Sequence, residues 1–180
     1  GREAASCVAE LEGLLEQSGW NAGALSVCIS DHFVRYVMLP WRPGLRAYAD
    51  WEAYANHQLD ARYGTKRPCE LRIAPAPAGA NRFVAATDTE LLRQLRDLAA
   101  RRGLRVAALE PNACRVANRF RRRLGRRAHL LVAEADRLTW LSAIEDRWTD
   151  VVSVRNEGGN GLGALAMSAR LHGGYNAETD

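Results

Sequence analysis

The sequence predicts an α/β protein: a single layered domain in which a mixed β-sheet is flanked by helices. Three observations lead there. Segments with apolar side chains at helical spacing alternate with β-branched and aromatic runs, and those runs come in pairs separated by short polar breaks. The third is size, because 180 residues at 47% hydrophobic composition can bury one real core but are tight for two.

Taken in order, Val8, Leu11, Leu14 and Leu15 alternate with Glu10, Glu12 and Glu16, so a helix is expected over 3–18, stopped by Gly19. Leu25 to Ile29 and Phe33 to Leu39 are strand-like. The polar break Ser30, Asp31, His32 between them suggests a hairpin, and Pro40 ends the second strand. After the turn chemistry of Arg42, Pro43 and Gly44, Trp51, Ala55, Leu59 and Tyr63 space a helix that Gly64 stops. Leu71 to Ala74 and Arg82 to Ala86 flank the segment 75–79 as a second strand pair.

Thr87 to Glu90 offers a cap before Leu91, Leu92, Leu95 and Leu98, with Gly103 following the helix. A strand over 104–109 and a turn at Glu110, Pro111 and Asn112 come next, and then Ala113, Val116, Ala117 and Phe120 line one face of another helix. Three extended segments, 129–133, 138–144 and 148–154, read as an antiparallel meander joined by polar turns at 134–136 and 145–147. Residues 1–156 thus form the domain, and 157–180 a Gly-rich tail or a weak helix near 162–171.

Composition narrows the function. No run approaches the roughly 18 to 20 apolar residues of a membrane span, and the N-terminus has no signal or transit character, so a soluble, cytoplasmic protein is expected. Gly1 stands where methionine would open a chain, which leaves room for a neighbouring segment. Cys7, Cys28, Cys69 and Cys114 lie far apart and form no zinc or redox motif; they read as ordinary thiols of a reducing compartment. The net charge of +4 comes almost wholly from arginine, Lys66 being the single lysine, and is a weak guide to partners.

His32 and His57 lack an accompanying nucleophile motif and read as surface residues, with Asp31 and His32 pointing apart in the hairpin. Glu134, Asp136 and Asp146 sit in hairpin turns that favour carboxylates for their own geometry, without the spacing of a hard-metal loop. Arg115, Arg119, Arg122 and Arg126 fall at i, i+4, i+7 and i+11 and are expected to share one helix face. That stripe is either a solvated face, a contact for an acidic protein or lipid headgroups, or a nucleic-acid contact; no aromatics for base stacking interleave it, so DNA is not expected. Trp41, Tyr48 and Trp51, with Tyr54, gather around a Pro/Gly loop, either as core or as a partner site. The edge of the 25–39 hairpin is a further candidate, through addition of a partner's strand.

The order "LSVCISDHFVRYVMLPW", a helix, a strand pair, "LLRQLRDLAARRGLRVAALEPNACRVANRF" and a meander from "HLLVAEADRLTWLSAIEDRW" resembles the actin-like assembly proteins of bacterial type IV pili and type II secretion, the PilM, MshI-type and GspL proteins. The resemblance covers roughly residues 24 to 156 and lies in the pattern of elements more than in identities. It implies an actin-like (RNase H-like) fold, partial or degenerate here. Members with a nucleotide site hold phosphate on a Gly-containing turn, where bare N–H groups approach the anion. The corresponding turn, Val132 to Arg137, has no glycine, and the early strand that carries a first phosphate turn is not in this chain. The resemblance therefore implies a scaffold without cofactor or catalysis, a pseudo-ATPase at or near the inner membrane that binds the cytoplasmic tail of an inner-membrane assembly protein or an assembly ATPase, with a homodimer as one arrangement. An actin-like ATP-binding protein of the same machinery is the alternative, and a basic nucleic-acid-binding module a further one.

Overall fold

The computed structural model describes residues 2–64, 68–145, 147–156, 161–163 and 165–166. The elements run α1 (Arg2–Ser18), β1 (Gly23–Ile29), β2 (Val34–Leu39), α2 (Tyr48–Tyr63), β3 (Cys69–Ile73), β4 (Arg82–Asp88), α3 (Thr89–Arg101), β5 (Leu104–Pro111), α4 (Asn112–Phe120), β6 (Arg127–Ala133), β7 (Arg137–Ile144) and β8 (Arg147–Arg155). Short 3₁₀ turns at Asp31–Phe33 and Arg121–Arg123 follow β1 and α4.

Three ladders organise the strands: β1 with β5 in parallel, β2-β4-β3 antiparallel, and the antiparallel meander β6-β7-β8. The meander and the β3–β4 pair follow the sequence pattern. The expected 25–39 hairpin does not form, because β1 takes β5 as its partner and β2 takes β4. Tight hairpins favour two-residue turns with glycine or asparagine, and the break here offers neither. Instead the Ser30 hydroxyl accepts the His32 N–H at 3.2 Å and caps a 3₁₀ turn that sends β2 into another ladder.

Period-2 alternation in β2 and β4 feeds two cores. Val37, Leu39, Val84 and Ala86 face α2, where Trp51, Ala55 and Leu59 are buried with Leu71. Val34, Tyr36 and Ala85 face a larger core with Val8 and Leu15 of α1, Ile29, Leu91, Leu92, Leu95 and Leu98 of α3, and Leu141 and Val151 of the meander. The central antiparallel ladder is thus packed on both faces.

Caps fix the helix ends. Asp88 accepts the Glu90 N–H at 2.8 Å to open α3, and Gly64, in the left-handed region at φ 61°, closes α2 by donating to Asp60 O at 2.9 Å. Gly103, at φ 65°, joins α3 to β5, and a Cβ there would stand 3.0 Å from the Asn21 carbonyl in the α1–β1 connection. In the expected tail, residues 161–163 and 165–166 are helical and Leu165 is buried; the rest of 157–180, like Asp146 in its expected turn, lies outside the described residues.

Candidate functional site: a carboxylate-filled junction and its neighbouring surfaces

β1, α4 and the β6–β7 turn converge on one polar junction. Asp31, expected in the polar break of a hairpin, is fully buried. Its Oδ1 accepts the Tyr36 hydroxyl at 2.6 Å and the Ala113 N–H at 3.0 Å, the latter from the first turn of α4. A helix start is where an anion is best held, and here the protein's own carboxylate takes that place.

Glu134 repeats the arrangement from the meander side. One carboxylate oxygen accepts the Ser30 hydroxyl at 2.6 Å and the Asp31 N–H at 3.0 Å, and the other accepts Asn112 Nδ2 at 2.7 Å. The Glu134 N–H is itself engaged by Arg137 O at 2.8 Å. His32 lies at the rim with Nε2 2.9 Å from Glu3 Oε2 on α1 and Nδ1 against an Asp136 carboxylate oxygen. Asp31 and His32 do point apart, one inward and one to the rim, though not within a hairpin.

Electrostatics follow from this crowding. Burial pushes the Asp31 carboxyl above its ordinary value, while hydrogen bonds from Tyr36, Ala113 and Thr139 act in the opposite sense. Burial, then the Asp31 charge, raises the Tyr36 phenol. The Cys114 thiol of α4 is pushed up to about 12, first by burial and then by Asp31 and Glu110, so it is not a poised nucleophile. Cys28 is also raised by burial, with Arg115 opposing.

The arginine stripe is broken. Arg115 and Arg119 are exposed on α4, but the helix ends at Phe120, and Arg122 belongs to the following 3₁₀ turn. Consecutive like charges at 119 and 121–123 oppose further helix, and Leu124 N–H closes the turn on Phe120 O at 3.2 Å. Arg126 lies beyond it, paired to Glu145 at 2.6 Å. Phe120, expected on the packed face, is 36% exposed among these arginines.

The aromatic group divides. Trp51 is buried at 3% exposure, donates Nε1–H to Leu45 O at 3.1 Å and lies under the Arg82 guanidinium at 4.6 Å, so it is a core residue and not part of an exposed surface. Trp41 and Tyr48 are exposed at 39% and 56%. His57 is exposed on α2.

Ser30, Asp31, Tyr36, Asn112 and Glu134 were not singled out together by sequence reasoning. A signal existed for part of the group: a serine followed by an aspartate at a strand end is a common local cap. Nothing local points to the partners on α4 and the meander.

No family model matches the chain, and no curated protein matches it in sequence. Solved structures do. The PilM-PilN type IV pilus biogenesis complex matches with 18% identity and a TM-score of 0.52, over 93% of this chain and 53% of its own. A Bacteroides thetaiotaomicron protein with an actin-like ATPase fold matches with 10% identity and a TM-score of 0.58, over 91% of this chain and 62% of its own. The fold is actin-like. The cytoplasmic domain of EpsL, an inner-membrane component of the type II secretion system of Vibrio cholerae, has 16% identity and a TM-score of 0.54, over 97% of this chain and 63% of its own. The chain therefore spans 53 to 63% of the length of these three structures, a partial version of the fold. Among the described residues no helix is long and apolar enough to cross a membrane.

Proposed function

We propose that the chain is a non-enzymatic docking subunit of an assembly platform of the type IV pilus or type II secretion kind, binding the cytoplasmic tail of an inner-membrane assembly protein or an assembly ATPase from the cytoplasmic side. The carrying observation is the filled junction. Nucleotide phosphates need free N–H donors and positive or neutral surroundings. Here the Ala113 N–H is bound to Asp31, the Asp31 N–H to Glu134, and the Glu134 N–H to Arg137, so an incoming phosphate would have to displace internal acceptors and face several carboxylates. The likeness in fold to a PilM-PilN complex and to the EpsL cytoplasmic domain supports the choice of machinery.

Exposed Arg115, Arg119 and Arg122, and the separate pair Trp41 and Tyr48, are the surfaces for the partner in this reading. Isothermal titration with Mg-ATP tests the junction: no saturable heat is expected, and micromolar binding would replace this reading with an ATP-binding protein of the same machinery. Pull-down with inner-membrane proteins encoded beside the gene tests the docking role, and failure across all of them removes it.

A further inference from the structure

Residues 119–127 crowd positive charge into one turn. Six of these nine residues are arginine and none is acidic, more charge than the net +4 of the whole chain, so the remainder of the molecule is net acidic. The segment closes α4 at Phe120, passes through the 3₁₀ turn Arg121–Arg123 and enters β6 at Arg127. All six arginines are exposed.

Arginines of α3 and its C-terminal end are answered by acids. Arg93 meets Glu90 and Asp97 at 2.6 Å, Arg96 meets Glu70 at 2.5 Å, Arg101 meets Glu12 at 3.1 Å, and Arg102 meets Glu16. In the 119–127 turn, among the described residues, Arg126 alone has an ion pair, with Glu145 at 2.6 Å. A helix C-terminus favours a nearby cation, which accounts for Arg119 but not for the five arginines beyond it. Neighbouring guanidiniums repel one another, a cost that nothing among the described residues offsets.

Apolar side chains stand among these charges. Phe120 is 36% exposed, and Ile144, the cross-strand neighbour of Arg127 at the same end of the meander, is 46% exposed. Leu124 is half-buried between Arg123 and Arg126. A cationic cluster alone would suit any polyanion. Exposed apolar side chains inside it match the boundary of an anionic bilayer, where guanidiniums take headgroup phosphates in pairs of hydrogen bonds and apolar side chains enter the edge of the acyl region. A nucleic-acid strand would be held by several stacked rings, and this turn carries one.

We propose that the 119–127 turn is a peripheral contact for an anionic phospholipid bilayer, with its arginines on headgroup phosphates and Phe120 and Ile144 at the apolar boundary. This turns the C-terminal end of α4 toward the membrane and the acidic junction, held at the N-terminal end of the same helix, away from it. The proposal stands apart from the docking reading, because vesicles contain no protein and partner capture is read without lipid.

Co-sedimentation with vesicles of equal parts phosphatidylglycerol and phosphatidylcholine tests it, with pure phosphatidylcholine vesicles as control. Binding is expected to the mixed vesicles alone and to fall steeply as salt is raised. An arginine near such a surface is worth about fivefold in affinity, so replacing Arg121, Arg122 and Arg123 together by glutamine is expected to lower binding by roughly a hundredfold, while replacing the same three by lysine keeps most of it. Phe120→Ser, at unchanged charge, is expected to lower binding severalfold. No binding to the mixed vesicles, binding indifferent to salt, or equal binding by the glutamine variant overturns the proposal. Tighter binding to a single-stranded RNA or to polyglutamate than to the mixed vesicles at the same salt assigns the turn to nucleic acid or to an acidic protein, and overturns it as well.

Discussion

Asp31 carries the clearest single-residue consequences. Its folded carboxyl is raised by burial, so the folded state holds the proton more tightly than the unfolded chain does. The stability that this group contributes is therefore fully present below the unfolded aspartate value and declines as pH rises through the raised folded value. Asp31→Asn keeps the Oδ1 acceptor for Tyr36 and Ala113 and removes the charge, so urea denaturation across a pH series is expected to lose that decline. Asp31→Ala strands the Tyr36 hydroxyl and the Ala113 N–H, at a cost of about 2 to 4 kcal/mol at any pH. Equal stability of the two variants would remove the role given to this side chain. Its burial could not be read from sequence, because Ala113 lies 82 residues away and only the folded chain brings α4 over β1.

Among elements, those built on local periodicity were legible and those that depend on a choice of partner were not. Leu91, Leu92, Leu95 and Leu98 mark the buried face of α3 in the sequence itself, and Leu98→Ala is expected to cost about 2 to 5 kcal/mol in the same denaturation assay. The meander was equally plain, since its segments alternate and neighbour one another along the chain. β1 and β2 were misread as a hairpin because two strand-like runs close in sequence do not reveal that one will pair with a strand some 80 residues on. The junction suffered the same limit: its carboxylates were visible as turn residues, not as acceptors for backbone N–H groups brought from distant segments. Tyr63→Phe tests the covered β2 edge; losing both bonds to Tyr36 is expected to cost about 1 to 2 kcal/mol. On α4, Arg115→Ala with Arg119→Ala is expected to change stability by no more than about 0.5 kcal/mol, because both side chains are exposed. Under the docking reading the same pair weakens partner capture in a salt-dependent manner.

At the scale of the whole molecule, the central antiparallel ladder separates two cores, and the meander closes the larger one from the far side. This arrangement leaves the acidic junction where three elements meet, tied by internal hydrogen bonds. The partial span of the fold agrees with the partial version that the resemblance implied. The parallel β1–β5 pair needed the structure, because nothing local marks β5 as the partner of β1.

The bare backbone at Gly103 makes the mouth of the parallel pair vulnerable to a single methyl group. Gly103→Ala would press a carbon onto the Asn21 carbonyl and force a left-handed alanine, prising the α1–β1 loop from the start of β5 at a cost of about 1 to 3 kcal/mol. Such a wedge would loosen β1 from its foot, far from the acids at its head, without altering any residue of the junction.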